Sequence, residues 1–362
     1  MAYGDYNPFS ISFVTMKIKY QDYDKSIDTS SFLNPTDKVN VFINFESVLK
    51  NLSFLKDIEN KLLLERNFPF ILESEAINLC AHYKRFFRDN GLKTRVFLYY
   101  TDLTSFDYLN FKYNDEFRSY YENKFLRNPK YQLLGNRIVD VIVPRIKKIV
   151  EFIPDVYFIS AKNIDASIIP KIIYEMDPSY KNFIISSDKC ETQYQLMKNF
   201  MMHYIRRGMT TSSVSYKVND TIAQIIKENL TGDSNCELYY NPSLFSTLWA
   251  TIGSKSRSIE PLKGIGAKTL SKKIESGIKD GIITKDSSSI KLISKIFEDE
   301  LTEQMISNFK CLDINSQYSD LTSDIIYGVE SQIIDRSDFN SLLKLNEEDY
   351  KEYPLMLEEL TK

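Results

Sequence analysis

The chain is poor in the residues that most often carry thiolate, disulfide or histidine chemistry. Its four cysteines, Cys80, Cys190, Cys236 and Cys311, are scattered through 362 residues with no CxxC pair, which argues against a zinc ribbon and a disulfide framework and leaves buried thiols. Two histidines, His82 and His203, give little material for a histidine base or metal centre. Apolar runs fall far short of the roughly 20 residues that span a bilayer. The start, Met1-Ala2-Tyr3-Gly4-Asp5, lacks the basic and apolar regions of a signal peptide, so no membrane partner and a cytoplasmic location are expected. A formal charge of -3 excludes a global positive field, so any nucleic-acid contact must come from local basic patches.

What is present is ordinary for a globular protein, at 43% hydrophobic and 26% charged, and the length allows one large core with a smaller domain. The run Val39-Asn40-Val41-Phe42-Ile43-Asn44-Phe45 is a compact buried-strand signal, followed by a helical pattern through Leu49, Leu52 and Leu55. A helix from about Glu73 to Asn90 leads into the strand Thr94 to Tyr100. A second, from about Arg137 to Glu151, precedes the strand Asp155 to Ile159, and another helix after Asp165 precedes Asn182 to Ser186. Strands alternating with helices predict a parallel α/β sheet covered on both faces, with reactive residues outside the carboxyl ends of the strands. Beyond about residue 200 the strand signals fade and helices dominate.

Glycine is scarce, which makes Pro261-Leu262-Lys263-Gly264-Ile265-Gly266-Ala267-Lys268-Thr269-Leu270 stand out. Two glycines around one isoleucine let main-chain N–H groups approach a phosphate, and a helix starting near Ala267 adds unpaired N–H groups and its positive dipole end. Lys263 and Lys268 supply charge and Thr269 a hydroxyl donor. Taken alone, the ten residues also fit a glycine-containing turn between two helices.

With the upstream Ile252-Gly253-Ser254-Lys255-Ser256-Arg257-Ser258-Ile259-Glu260, this stretch resembles the helix-three-turn-helix of the flap endonuclease and bacteriophage 5′-3′ exonuclease family. That family reads Gly-Asp-x-x-Asp-Asn-Ile-x-Gly-x-x-Gly-Ile-Gly-x-Lys-Thr-Ala. Gly253, Ile259, Gly264, Ile265, Gly266, Lys268 and Thr269 fall in register, whereas Ser254 and Arg257 stand at the two aspartates.

The resemblance implies a PIN-like sheet whose strand ends hold two magnesium or manganese ions about 4 Å apart, and a potassium ion on the hairpin loop. Its acidic positions are largely replaced here. Asn44 stands at the first aspartate, with Glu46 two residues on. Asp165 stands for the glutamate of a Glu-Ala-Asp-Asp helix start, while Ser167 and Ile168 replace its aspartates. In Ser186-Ser187-Asp188-Lys189-Cys190-Glu191-Thr192-Gln193, similar to a Ser-x-Asp-x-Asp-x-x-Gln turn, Asp188 is kept and Cys190 replaces the second aspartate. Asp165 and Asp188 remain as candidate metal ligands. Arg257, always charged, would neutralise them in a site rebuilt without metal. Alternatively Glu46, Asp102 or Glu191 restores one ion.

The family's helical arch corresponds to a stretch rich in aromatic and basic residues from Tyr108 to Tyr131, which fits a single-strand channel or an amphipathic helix burying its rings. Lys189, Arg206 and Arg207 would hold phosphates or be solvated. The expected division is an N-terminal extension over 1–37, a PIN-like nuclease-type domain over 38–200, a helical region with the helix-three-turn-helix over 201–290, and a C-terminal helical extension over 291–362. A composition rich in Lys, Asn, Ile, Tyr and Phe points to an AT-rich phage or bacterial genome, hence to a host cytoplasm if phage-encoded. The expected function is a catalytically degenerate DNA-binding protein that grips duplex or branched DNA with little sequence preference, with a protein assembly partner as a further expectation. The competitors are an active magnesium-dependent 5′ nuclease with rearranged ligands, and a structural component of a phage particle or polymerase assembly.

Overall fold

The computed structural model describes residues 34, 37–45, 47, 68–101, 143–150, 153–161, 164–186, 188–197, 199–204, 244–253, 259–281 and 303–339. The strand signals resolve into a parallel sheet of β1 (Lys38–Asn44), β2 (Lys93–Thr101), β3 (Val156–Ala161), β4 (Lys181–Ser186) and β5 (Phe200–Tyr204), in the order β3-β2-β1-β4-β5. Every pairing is parallel, with Asn44 opposite Tyr99 and Ile43 opposite Ile185. β1 is central and buried on both faces apart from Lys38, which is why it reads as a nearly continuous apolar run.

The alternation of side chains splits the core into two layers. Val39, Val41 and Ile43 face α1 (Phe68–Asp89) and α2 (Val143–Val150), packing with Ile77, Tyr83, Phe87 and Ile146. Phe42, Phe97 and Ile184 face the other way. There they meet Ile169, Ile172 and Ile173 around α3 (Ile169–Met176), Ile314 of α7 (Ile314–Ser319), and Val329 and Ile333 of α8 (Ser323–Phe339). Many of the chain's rings go into this core: Phe42 stacks on Phe97 at 5.1 Å, and Phe97 on Tyr157 at 5.0 Å.

Two polar devices finish the sheet. Asn40 and Asn182, buried side by side on β1 and β4, hydrogen-bond at 3.0 Å, so that neither amide is stranded in the core. Gln332 of α8 donates to the Ser160 carbonyl at 2.9 Å and accepts from the Ser160 N–H at 3.1 Å. Its side-chain amide thus acts as a short extra strand on the free edge of β3.

Chain order runs outward from β1 through β2 to β3, then returns to β4 and β5 on the other side. The crevice above the carboxyl ends of β1 and β4 is therefore the switch point at which such sheets bind ligands. α4 (Leu244–Ile252) and α5 (Ala267–Lys279) flank the glycine hairpin, and α6 (Glu303–Lys310) packs against α4. No described helix is long and apolar enough to cross a membrane.

Candidate functional site

At the switch point the acids are turned to structural tasks. The chain leaves β3 and enters a short 3₁₀ turn, Ala166–Ile168, whose N-cap is Asp165: its Oδ1 accepts from the Ser167 N–H at 2.8 Å. The Ala166 N–H is taken by Thr101 Oγ1 at 2.9 Å, which ties this turn to the end of β2. After β4 the same device recurs. Asp188 caps the 3₁₀ helix Lys189–Leu196, accepting from the Cys190 N–H at 2.8 Å, while its own N–H donates to Ser186 Oγ at 2.9 Å.

Three-residue periodicity of that 3₁₀ helix brings Glu191 onto the side of Asp188. Glu191 is fully buried. Its Oε1 accepts from Tyr99 Oη at 2.7 Å and from Asn44 Nδ2 at 3.1 Å, whereas Oε2 has no hydrogen-bond partner among the described residues. Burial, with the nearby Asp188 charge adding to it, pushes the Glu191 carboxyl up to about 8, and the neighbouring Ser186, Tyr99 and Asn44 side chains pull it back only in part. Its environment therefore favours the protonated form over that of an ordinary glutamate. Asn44 is itself held by the Ser47 N–H, which donates to its Oδ1 at 3.1 Å.

The substituted positions are occupied by packing. Ile168 lies in the apolar layer under α7 and α8. Ser167 is buried with no hydrogen-bond partner for its Oγ among the described residues, and its carbonyl accepts from Tyr194 Oη at 2.6 Å. Cys190 is fully buried, and its thiol donates to the Leu312 carbonyl at 3.1 Å, in the turn between α6 and α7. The same carbonyl accepts from Gln193 Nε2 at 2.7 Å, and Gln193 Oε1 accepts from Ser246 Oγ at 2.7 Å.

A two-ion centre needs several carboxylates converging on shared positions. Among the described residues no group of three or more His, Cys, Asp or Glu side chains is placed to hold a metal ion. Asn44, Asp165, Asp188 and Glu191 do come to one end of the sheet, but two cap 3₁₀ turns and one is a buried acid whose pKa is raised by burial. Glu46, Asp102, Ser254 and Arg257 lie outside the described residues, as do the stretch from Tyr108 to Tyr131, Arg206 and Arg207, and the helix expected through Leu49 to Leu55.

The glycine hairpin has the opposite character. Gly253 ends α4 with φ +78, and a Cβ there would stand 2.7 Å from both the Ile259 carbonyl oxygen and the Pro261 nitrogen, so the loop closes on a residue that must be glycine. Leu262 donates to the Thr251 carbonyl at 2.9 Å and Ile265 to that of Leu262 at 3.3 Å. Leu262, Leu270 and Ile274 point inward, whereas Lys263, Gly264, Gly266 and Thr269 are exposed. Gly264 takes φ +80, and among the described residues nothing but the chain neighbours lies within 4 Å of the Cβ positions of Gly264 or Gly266. Ile265 between them is half-buried, and α5 begins directly after Gly266. Lys268 occupies its second position, with its side chain outside the described residues. The carbonyls of Ala250 in α4 and of Glu260, just before the hairpin, accept from Asn308 Nδ2 at 3.0 and 3.1 Å.

No family model matches the chain, and no curated protein matches it. Solved structures do. A zinc-bound 5′-exonuclease of bacteriophage T5 superposes with a TM-score of 0.52 at 14% identity, covering 83% of this chain and 100% of that one. A pseudo-enzyme–product complex of the T5 flap endonuclease with DNA and metal ions gives 0.50 at 14%, with the same coverage. At such identities the likeness concerns architecture: the PIN-like sheet and its flanking helices are the fold of the phage 5′-exonucleases.

Proposed function

From that shared fold we propose that this chain is a DNA-binding protein of the 5′ nuclease type whose carboxylate end has been rebuilt without a two-metal centre. The 261–270 hairpin of its helix-three-turn-helix grips phosphates of duplex or branched DNA. The observation that carries this is the pairing of an open hairpin with a closed acidic end. Lys263, Gly264, Gly266 and Thr269 face solvent at the amino end of a 13-residue helix, with room for an anion at both glycines. Such a grip contacts the backbone and positions DNA without reading bases, so little sequence preference is expected. The phage T5 relative solved with DNA supports the same partner for this fold.

At the other end, burial favours a proton on Glu191, and Asp165 and Asp188 are engaged by backbone N–H groups. Arg257 remains a candidate counter-charge for the two aspartates. If Glu46 or Asp102 completes a site with Asp188, magnesium or manganese would serve it as a Lewis acid. That second reading, an active 5′ nuclease, draws on one observation, the carboxyl of Glu191 beside Asp188.

Titration of labelled duplex and 5′-flap DNA at several salt concentrations, with and without magnesium, tests the proposal. Expected are salt-dependent binding to both DNAs and no cleavage. Lys263→Ala with Lys268→Ala should weaken binding and make the log–log salt slope shallower by up to about 2 units. Magnesium-dependent cleavage of the flap would establish the nuclease reading instead. Absence of binding would leave a structural or assembly role.

A further inference from the structure

Helix α6 touches both ends of this arrangement. Asn308, fully buried on it, donates through Nδ2 to the Ala250 carbonyl at 3.0 Å and to the Glu260 carbonyl at 3.1 Å. Ala250 lies in the last turn of α4 and Glu260 directly before the Pro261 to Leu270 hairpin, so one amide fastens the two ends of the loop together. The turn after α6 carries Leu312, whose carbonyl is held by Gln193 and Cys190 of the 3₁₀ helix that Asp188 caps. Gln193 also accepts from Ser246 on α4. A circuit of buried hydrogen bonds thus runs from the acidic end to α4, from the acidic end to α6, and from α6 to the loop.

The remaining oxygen of Asn308 is buried without a hydrogen-bond partner among the described residues. A half-satisfied buried amide is costly by itself, and its two donated bonds are what its position in the fold turns on. With two carbonyls facing it, the –NH₂ orientation is the one the surroundings fix.

We infer that Asn308 is the positioning residue of the phosphate-gripping hairpin, and that the strut from Gln193 through Leu312 to Asn308 holds the hairpin at a set distance from the carboxyl end of the sheet. The inference rests on the DNA-binding function proposed above. It explains why the sheet's acidic turn, though spent on capping, is packed so closely: it is the fixed end of the strut. A hairpin released from the strut keeps its lysines and glycines but loses their alignment.

Amide hydrogen exchange and DNA binding together decide the matter. In Asn308→Ala, exchange at the Leu262 and Ile265 N–H groups should speed up about tenfold or more, from two lost buried hydrogen bonds, while strand amides such as Val41 and Ile184 keep their protection. Duplex affinity should fall by about tenfold with an unchanged salt slope, because no phosphate contact is removed. Asn308→Ser, which retains one donor, should lie between wild type and Asn308→Ala. Gln193→Leu, remote from the loop, should loosen the same two amides, and it serves as the probe if Asn308→Ala does not fold. Unchanged exchange at Leu262 and Ile265 would overturn the inference, as would equal acceleration across the strands or a shallower salt slope. If the wild-type chain binds no duplex, the DNA-binding function falls while the exchange pattern still decides what Asn308 holds.

Discussion

The carboxyl end of the sheet and the glycine hairpin differ in what fills them. The carboxyl end of the sheet is closed: Glu191, Cys190, Ser167 and Ile168 are buried, and the caps of Asp165 and Asp188 turn toward backbone N–H groups. The hairpin is open, with two exposed glycines whose Cβ positions meet nothing. Chemistry on a phosphodiester needs charge concentrated at the first region, whereas holding a phosphate needs only N–H groups and space at the second. A fold that keeps the second while filling the first can retain binding without the reaction, because the hairpin's own closure uses Gly253 and the Leu262 N–H, with no carboxylate in direct contact among the described hydrogen bonds.

The comparison breaks most severely at Gly253. Alanine there would place a methyl group 2.7 Å from two backbone atoms at φ +78, so Gly253→Ala should cost about 3 kcal/mol or more and collapse duplex binding with the hairpin. A thermal melt and a titration within experimental error of wild type would show that the loop closes differently. The lysine pair Lys263→Ala and Lys268→Ala comes next, with affinity falling about tenfold to a hundredfold and no change in Tm. Gly266→Ala sharpens the contrast further. Its φ is not positive and its Cβ would touch nothing, so folding should be unaffected or slightly favoured, while the added methyl holds a phosphate away and weakens binding by about tenfold. Full affinity in Gly266→Ala would remove close backbone approach from the account of binding.

The central strands were legible because β1, β2 and β4 are buried on both faces, and α1 because its apolar period runs for several turns. β5 was not, since Phe200-Met201-Met202-His203-Tyr204 has no β-branched residue and only five positions, and the ladder with β4 supplies what propensity does not. The glycine hairpin showed itself by composition alone, and the fold leaves Lys263, Gly264, Gly266 and Thr269 exposed. At the acidic end the register of the family's turn drew attention to Cys190, whereas the buried acid is its neighbour Glu191, which sequence offered only as one of several substitutes for a ligand. Three-residue spacing from Asp188 in a 3₁₀ turn was the available signal. The partners of Gln193, Gln332 and Asn308 are carbonyls on distant elements, and no local pattern announces such contacts.

The finest test of the contrast is the proton on Glu191, because it asks whether the closed region is balanced without a metal. Its carboxyl sits at about 8 in the fold against 4.5 for an ordinary glutamate, burial being the main cause. The folded chain therefore binds one more proton than the unfolded chain between those values. The sign follows: the stabilisation is complete below the unfolded value and is lost as pH rises through the folded one. Tm should decline by a few degrees from about pH 5 to about pH 8 on this account. Glu191→Gln keeps an acceptor for Tyr99 and Asn44 and removes the titration, so it should flatten that decline and leave Tm near pH 5 little changed. On the proposed function, in which the hairpin holds the phosphates, DNA affinity should be untouched. An equal decline in both proteins would place the titrating group elsewhere. Magnesium-dependent stabilisation of the wild type near pH 8, absent in Glu191→Gln, would mean that the deprotonated acid recruits a cation and that the closed region still belongs to a nuclease.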